Sequence, residues 1–173
     1  MEKLKQLEEN VLAWATELNF FGEGGATLFA QYLKLREEFG ELSGNFARGR
    51  CMKDDIGDCA VVVIIMNKLI NNSFRYSDLE SDGYKDWIVS TSIQDKYLGI
   101  DKIISSFVDE ERLPNYGFRK EWNFSGLFFE LKGFAEQAGY DFTECLEFAY
   151  NEIKDRKGEW RNNVFVKESD LKK

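Results

Sequence analysis

Histidine is absent from the 173 residues, and proline occurs once, at Pro114. Without imidazole the chain cannot run Ser-His-Asp or Cys-His catalysis, His-ligated zinc chemistry or imidazole acid–base chemistry. Any catalysis must rest on carboxylates, amines, guanidinium groups, hydroxyls, thiols or a metal held by oxygen. The near-absence of proline leaves long helices uninterrupted. The three cysteines, Cys51, Cys59 and Cys145, are odd in number and show no Cys-x-x-Cys spacing, which argues against a disulfide framework and against zinc or redox motifs. That usage predicts a reducing, cytoplasmic setting, with Cys59 and Cys145 as structural thiols among apolar neighbours. The longest apolar run, Cys59 to Met66, is far short of the ~20 residues of a membrane span. The charged start, Met1-Glu2-Lys3-Leu4-Lys5, has no signal-peptide pattern.

Positive charge is also in deficit, with 23 Lys and Arg against 31 Asp and Glu for a net charge of −8. Such a chain offers no electrostatic footprint for nucleic acid or an anionic membrane. What is present is apolar substance: hydrophobic residues make up 43%, enough for one compact domain over 1–173.

Apolar periodicity predicts an all-α protein, an antiparallel helical bundle. A first helix over about 2–18 carries Leu4, Leu7, Val11, Leu12, Trp14, Ala15 and Leu18 on one stripe, and the glycine-rich stretch 22–25 breaks it. Thr27 caps a second helix, about 28–48, with Phe29, Leu33, Phe39, Leu42 and Phe46 as its apolar positions and Gly49 as its stop. The third opens at Asp54 or Asp55 and runs to about Ile70. Its β-branched middle, Val61-Val62-Val63-Ile64-Ile65, has strand propensity, but a lone strand would find no partner in a helix-rich chain. A different texture follows over 71–124, rich in Asn, Ser, Asp and Gly, with a helix at about 95–112. Core helices resume at about 125–138 and from Asp141, whose Glu144 makes a capping-box-like pair, to Gly158. In the tail, 159–173, Asn162-Asn163 can turn a small hairpin.

The chemistry-bearing stretch is Lys34-Leu35-Arg36-Glu37-Glu38-Phe39-Gly40-Glu41, followed by Asp54-Asp55-Ile56-Gly57-Asp58. On a helix Glu38 and Glu41 project roughly 60° apart and Glu37 and Glu41 roughly 40° apart; Asp55 and Asp58 repeat the i,i+3 relation. Residues 42–54 suffice to turn one helix into an antiparallel neighbour, so that two carboxylate pairs face each other. Such a group repels itself unless a cation lies between, and oxygen-only donors suit Mg²⁺ or Mn²⁺. Gly40 and Gly57, one in each cluster, are expected to let the helices approach closely, since glycine costs about 1 kcal/mol against alanine in a helix.

Glu37-Glu38-x-x-Glu41, a gap of about a dozen residues, and Asp55-x-x-Asp58 together resemble the MazG-like branch of the all-α nucleoside triphosphate pyrophosphohydrolases. Gln31-x-x-Lys34 ahead of the acidic cluster, the valine run after Asp58 and the segment Ala149 to Gly158 extend the similarity to phage-type and Firmicute-type members. It covers about 1–70 and 125–168. The resemblance implies a core of about 2–70 and 125–158 in the all-α NTP pyrophosphohydrolase fold, with 71–124 as an insert serving as lid, dimer contact or ornament. It also implies Mg²⁺-dependent cleavage between the α and β phosphates of nucleoside or deoxynucleoside triphosphates, and a homodimer or homotetramer. By position, Glu38, Glu41, Asp55 and Asp58 would hold metal, with Asp55 standing where the family more often has Glu. Glu37 or Glu41 would accept the proton of the attacking water. Lys34, Asn151, Lys154 and Arg156 would contact phosphates. A base needs an apolar slot with a few polar groups, for which Trp14, Phe20, Phe21 and Gln31 are the candidates. The competing reading, from a different class, is a non-catalytic acidic helical protein that binds a protein partner, as a nucleic-acid mimic would.

Overall fold

The computed structural model describes residues 2–71, 75–79, 91–111 and 117–171, with the backbone alone at 79, 108–111 and 117–123. The sequence-expected segments 72–74, 80–90 and 112–116, which include the Pro114 turn, lie outside the described residues. Six α-helices stand among them: α1 (Glu2–Glu17), α2 (Leu28–Ala47), α3 (Lys53–Leu69), α4 (Ile93–Glu111), α5 (Gly117–Gln137) and α6 (Phe142–Ile153). A 3₁₀ turn, Tyr76–Leu79, follows α3, and two strands, β1 (Gly158–Arg161) and β2 (Val164–Lys167), form a hairpin after α6. No described helix is long and apolar enough to cross a membrane.

α3 is the axis of the bundle. It packs against α1, α2, α5 and α6, and Ile56 and every residue from Cys59 to Met66 are buried. This explains why a β-branched run is helical. Apolar surface on all sides of α3 meets another helix, and each buried Val or Ile contributes about 1.5–3 kcal/mol, well above the few tenths by which propensity disfavours it. Gly57 is what lets α6 come so close. A Cβ there would lie 2.2 Å from the Cys145 carbonyl oxygen and 2.7 Å from the Ala149 Cβ. Gly40 plays no such part, because a Cβ there would meet nothing within 4 Å. The paired role expected of the two glycines belongs to Gly57 alone, and its partner is α6 rather than α2.

α3 opens at Lys53 with Met52 at its N-cap, one residue ahead of the expected aspartates, and Asp54 and Asp55 occupy its first turn. There they complement the positive end of the helix dipole. On α2, Thr27 Oγ1 accepts the Ala30 N–H at 3.1 Å as expected of a cap. Its buried stripe, however, is Gln31, Leu35, Glu38, Phe39 and Leu42, while Phe29 and Leu33 are 55% and 52% exposed. The helix is thus rotated so that two polar residues, Gln31 and Glu38, face inward.

The segment expected as an insert contributes to the core where it is described. Tyr76, Ile100, Ile104 and Phe124 are buried, α4 packs along α5 and touches α2, and Tyr97 stacks on Phe39 at 5.1 Å. Tyr76 and Ser77 donate their backbone N–H groups to the buried Glu8 carboxylate at 2.7 and 3.3 Å. Asp141 caps α6 by accepting the Glu144 N–H at 3.0 Å. α6 ends at Ile153, so Arg156 and Lys157 follow the helix instead of completing its last turn.

The hairpin pairs Trp160 with Phe165 and Arg161 with Val164. Asn162 and Asn163 both take positive φ, 51° and 62°, the backbone of a two-residue turn that matches strand twist. It docks on the α1–α2 loop: Trp160 Nε1–H donates to the Leu18 carbonyl at 2.6 Å and Asn163 Nδ2–H to the Gly25 carbonyl at 2.9 Å. The Trp160 ring meets Phe20 edge-on at 4.8 Å.

Candidate functional site

Because α2 turns Gln31, Lys34 and Glu38 toward α3, and the hairpin folds back over the α1–α2 loop, a cavity of about 420 Å³ forms between these elements. One part of its wall is apolar: Trp14, Phe20, Val62, Ile65, Ile153 and Phe165. Another part is polar: Gln31, Lys34, Glu37, Glu38, Asp58 and Arg156. Lys167 and Asp170 of the tail also reach it. The volume lies in the range of small-molecule and cofactor sites, and a mostly apolar lining with few converging polar groups is their usual character.

Electrostatics at the polar part centre on Lys34. Its Nζ donates to Glu37 Oε2 at 2.8 Å and approaches Glu38 Oε1 at 2.6 Å. Burial works against the ammonium, yet the two carboxylates outweigh it and hold its pKa above the ordinary lysine value. For Glu38 the balance falls the other way. Burial raises its pKa more than Lys34 lowers it, and Glu41 and Glu37 push in the same direction as burial. Among the described residues the Asp58 side chain makes no hydrogen bond or ion pair. Burial, followed by the nearby charges of Glu38 and Asp54, lifts it to about 7, against weaker opposition from Lys34 and Arg156. Two carboxylates shielded from water, of which Glu38 has Lys34 as its cation, are therefore held on one wall of the cavity.

The sequence-expected residues separate into two groups. Trp14, Gln31, Lys34, Glu37, Glu38, Asp58 and Arg156 line the cavity. Glu41, Asp55, Asn151 and Lys154 do not line it. Glu41 is exposed one turn beyond Glu38. Asp55 is buried and accepts the Asn45 side-chain N–H at 2.8 Å, which ties the end of α2 to the start of α3; burial raises its pKa and the Asn45 bond opposes this. Asn151 and Lys154 are exposed because α6 buries Cys145, Leu146, Ala149 and Ile153, and residues two before and one after Ile153 point roughly 160° and 100° away from it.

The family resemblance implies Mg²⁺, and the donor chemistry of Glu38 and Asp58 fits it. They supply oxygen donors only, and Lys34 is the cation paired with Glu38. Mg²⁺ needs no more than one or two carboxylates from a protein when phosphate oxygens and waters complete its shell. Glu41 and Asp55 are not part of that pair, and among the described residues no three Cys, Asp or Glu gather as a metal-holding group.

Sequence reasoning missed the hairpin's share of the site. Asn163, Val164, Phe165, Val166 and Lys167 all reach the cavity. The available signal was the alternation Trp160…Val164-Phe165-Val166 around an Asn-Asn turn: so much apolar surface on two short strands has to dock on something.

Comparison with known proteins adds one relative. A stretch of 70 residues is 41% identical to an uncharacterized 18.2 kDa protein of the rep-hol intergenic region of Haemophilus phage HP1 (strain HP1c1), covering 39% of this chain and 42% of the phage protein. The chain thus matches less than half of that relative's length. Comparison with protein families gives no match, nor does comparison with solved structures.

Proposed function

We propose that the chain hydrolyses nucleoside triphosphates between the α and β phosphates, releasing the monophosphate and pyrophosphate, with Mg²⁺ or Mn²⁺ as cofactor. The observation that carries this reading is one cavity joining an aromatic slot to the Glu38–Asp58 carboxylates and the Lys34 and Arg156 cations. A base with its sugar matches the first part and a metal-bound triphosphate the second. Glu38 and Asp58 would hold the ion, which when bound neutralises the carboxylates and the phosphate oxygens.

The chain's own groups supply the rest. Trp14, Phe20 and Phe165 enclose the base and exclude water. Lys34, freed from Glu37 and Glu38, and Arg156 bind the phosphates and offset charge on the leaving pyrophosphate. Water attacks the α phosphorus, the bond to the α–β bridging oxygen breaks, and the water's proton passes to a carboxylate. Of the two candidates for that role, Glu37 lines the cavity and takes it in this proposal. A homodimer or homotetramer belongs to the same proposal and is checked by light scattering after gel filtration. A partner-binding mimic would spread its charge over an open face, whereas Glu38 and Asp55 are buried at the α2–α3 seam.

The test is a panel of ribo- and deoxyribonucleoside triphosphates with either metal, assayed separately for pyrophosphate and orthophosphate. Pyrophosphate release that disappears in a Glu38→Gln, Asp58→Asn double variant is expected. Silence across the panel with both metals refutes the hydrolase and favours the partner-binding protein.

A further inference from the structure

Lys34 stands on the second turn of α2, with Glu37 and Glu38 three and four residues further along and therefore on its own face of the helix. Its ammonium lies 2.8 Å from Glu37 Oε2 and 2.6 Å from Glu38 Oε1. The Glu38 side chain is only 8% exposed and that of Lys34 40%. The carboxylate is thus fixed inside the cavity, while the ammonium sits at its edge on a flexible four-carbon stem that can swing into solvent. Asp58, on the same wall, has no such cation.

Two uses of Glu38 exclude each other. A divalent ion held by Glu38 and Asp58 would lie within a few ångströms of the Lys34 ammonium, and like charges that close oppose one another strongly away from bulk water. Either the ammonium or the ion neutralises Glu38. An anion has the reverse effect. Lys34 and Arg156 line the same cavity, so phosphate oxygens bound there offer the ammonium a second set of acceptors and compete with Glu37 and Glu38 for it.

We propose that Lys34 is a resident counter-cation that competes with a divalent ion for Glu38 and is drawn off by phosphate oxygens, so that ion and phosphate bind cooperatively. The proposal rests on the metal reading of Glu38 and Asp58 and names how that site is regulated. The affinity of the nucleotide-free chain for the ion is lowered by the fraction of molecules in which the ammonium holds Glu38. Phosphate raises that affinity, and the ion raises phosphate affinity by the same factor.

The test is calorimetric binding of Mn²⁺ alone to the full chain, which requires no turnover. Lys34→Gln and Lys34→Ala should each bind Mn²⁺ at least about tenfold more tightly than the unmodified chain, and Lys34→Arg, which keeps the charge, within about threefold of it. Lys154→Gln removes an equal charge outside the cavity and should change the affinity by less than about threefold. Glu38→Gln should weaken binding in every background, which places the ion. Millimolar methyl phosphate should tighten Mn²⁺ binding to the unmodified chain by at least about threefold and to Lys34→Gln by less. Melting curves confirm that the variants fold, and either neutral variant suffices if the other does not. Lys34 variants that bind Mn²⁺ no more tightly, a gain matched by Lys154→Gln, or an equal effect of methyl phosphate in both chains overturns the proposal and leaves the hydrolase reading standing. A chain that binds no Mn²⁺ at millimolar concentration overturns both. Tighter Mn²⁺ binding in Lys34→Gln without pyrophosphate release by the unmodified chain supports the switch and removes the hydrolase.

Discussion

Gly57→Ala and Gly40→Ala make a matched pair of perturbations, the same methyl added to two helices in the same bundle. At position 57 the new Cβ would lie 2.2 Å from the Cys145 carbonyl oxygen, 2.9 Å from its carbonyl carbon and 2.7 Å from the Ala149 Cβ. Two of those three atoms are backbone, so no rotamer change relieves the contact, and α3 and α6 must move apart. Overpacking of this kind costs about 1–3 kcal/mol and occasionally more. The gain in helix propensity, about 1 kcal/mol, offsets part of it. We expect Gly57→Ala to be destabilising by about 1–2 kcal/mol, a drop in melting temperature of roughly 2–8 °C for a chain of this size. At position 40 the methyl meets nothing within 4 Å, the propensity term acts alone, and the variant should be more stable by about 1 kcal/mol. Urea unfolding followed by circular dichroism measures both. The reasoning fails if the two variants shift in the same direction, or if Gly57→Ala is as stable as the unmodified chain.

Two other consequences are open to measurement. Glu130 lies against Gly99, and burial lifts its carboxyl to about 7, Lys96 opposing and Asp95 adding to the shift; because this pKa is raised, its contribution to stability is complete below the ordinary glutamate value near 4.5 and is lost as pH rises through about 7. Glu130→Gln should therefore flatten part of the fall in urea midpoint between pH 5 and pH 8, and an unchanged slope would refute this. Lys34→Met leaves buried Glu38 without its cation, and since Lys34 is 40% exposed, solvent screening limits the loss to about 1–2 kcal/mol; millimolar Mn²⁺ should restore more stability to this variant than it adds to the unmodified protein, as melting curves with and without the ion would show.

Much of the fold was legible because helical periodicity and caps are local. Thr27, Asp141, the break after α1 and the Asn162-Asn163 turn stand where their chemistry placed them, since each acts on backbone groups three or fewer residues away. Phe29 and Leu33 share the helical apolar spacing of α2 yet stay exposed, because a count of apolar positions cannot say which of two faces a helix presents to its neighbours. α2 turned Gln31 and Glu38 inward instead, and that rotation created the polar wall of the cavity. Asp55 and Glu41 share the spacing of Asp58 and Glu38, yet spacing alone gave no sign that Asn45 would engage Asp55 or that Glu41 would stay in solvent.

The chain alone determined the class of its chemistry and the material of its fold. Without histidine, any active groups are carboxylates, amines, guanidinium groups, hydroxyls, thiols or a metal held by oxygen, and the apolar run after Asp58 requires burial whatever structure it adopts. Tertiary structure decided which of the carboxylates meet. Glu38 and Asp58 are brought to one wall by α2 and α3 packing, and their unfavourable charge comes from burial, a property of the surroundings that no residue carries in its own covalent structure. The hairpin's return to the α1–α2 loop, more than 130 residues away along the chain in the Asn163–Gly25 bond, closed the cavity around Trp14 and Gln31. Contacts of that range depend on how every intervening helix packs, which is why local pattern supplied the helices and only the assembled bundle supplied the site.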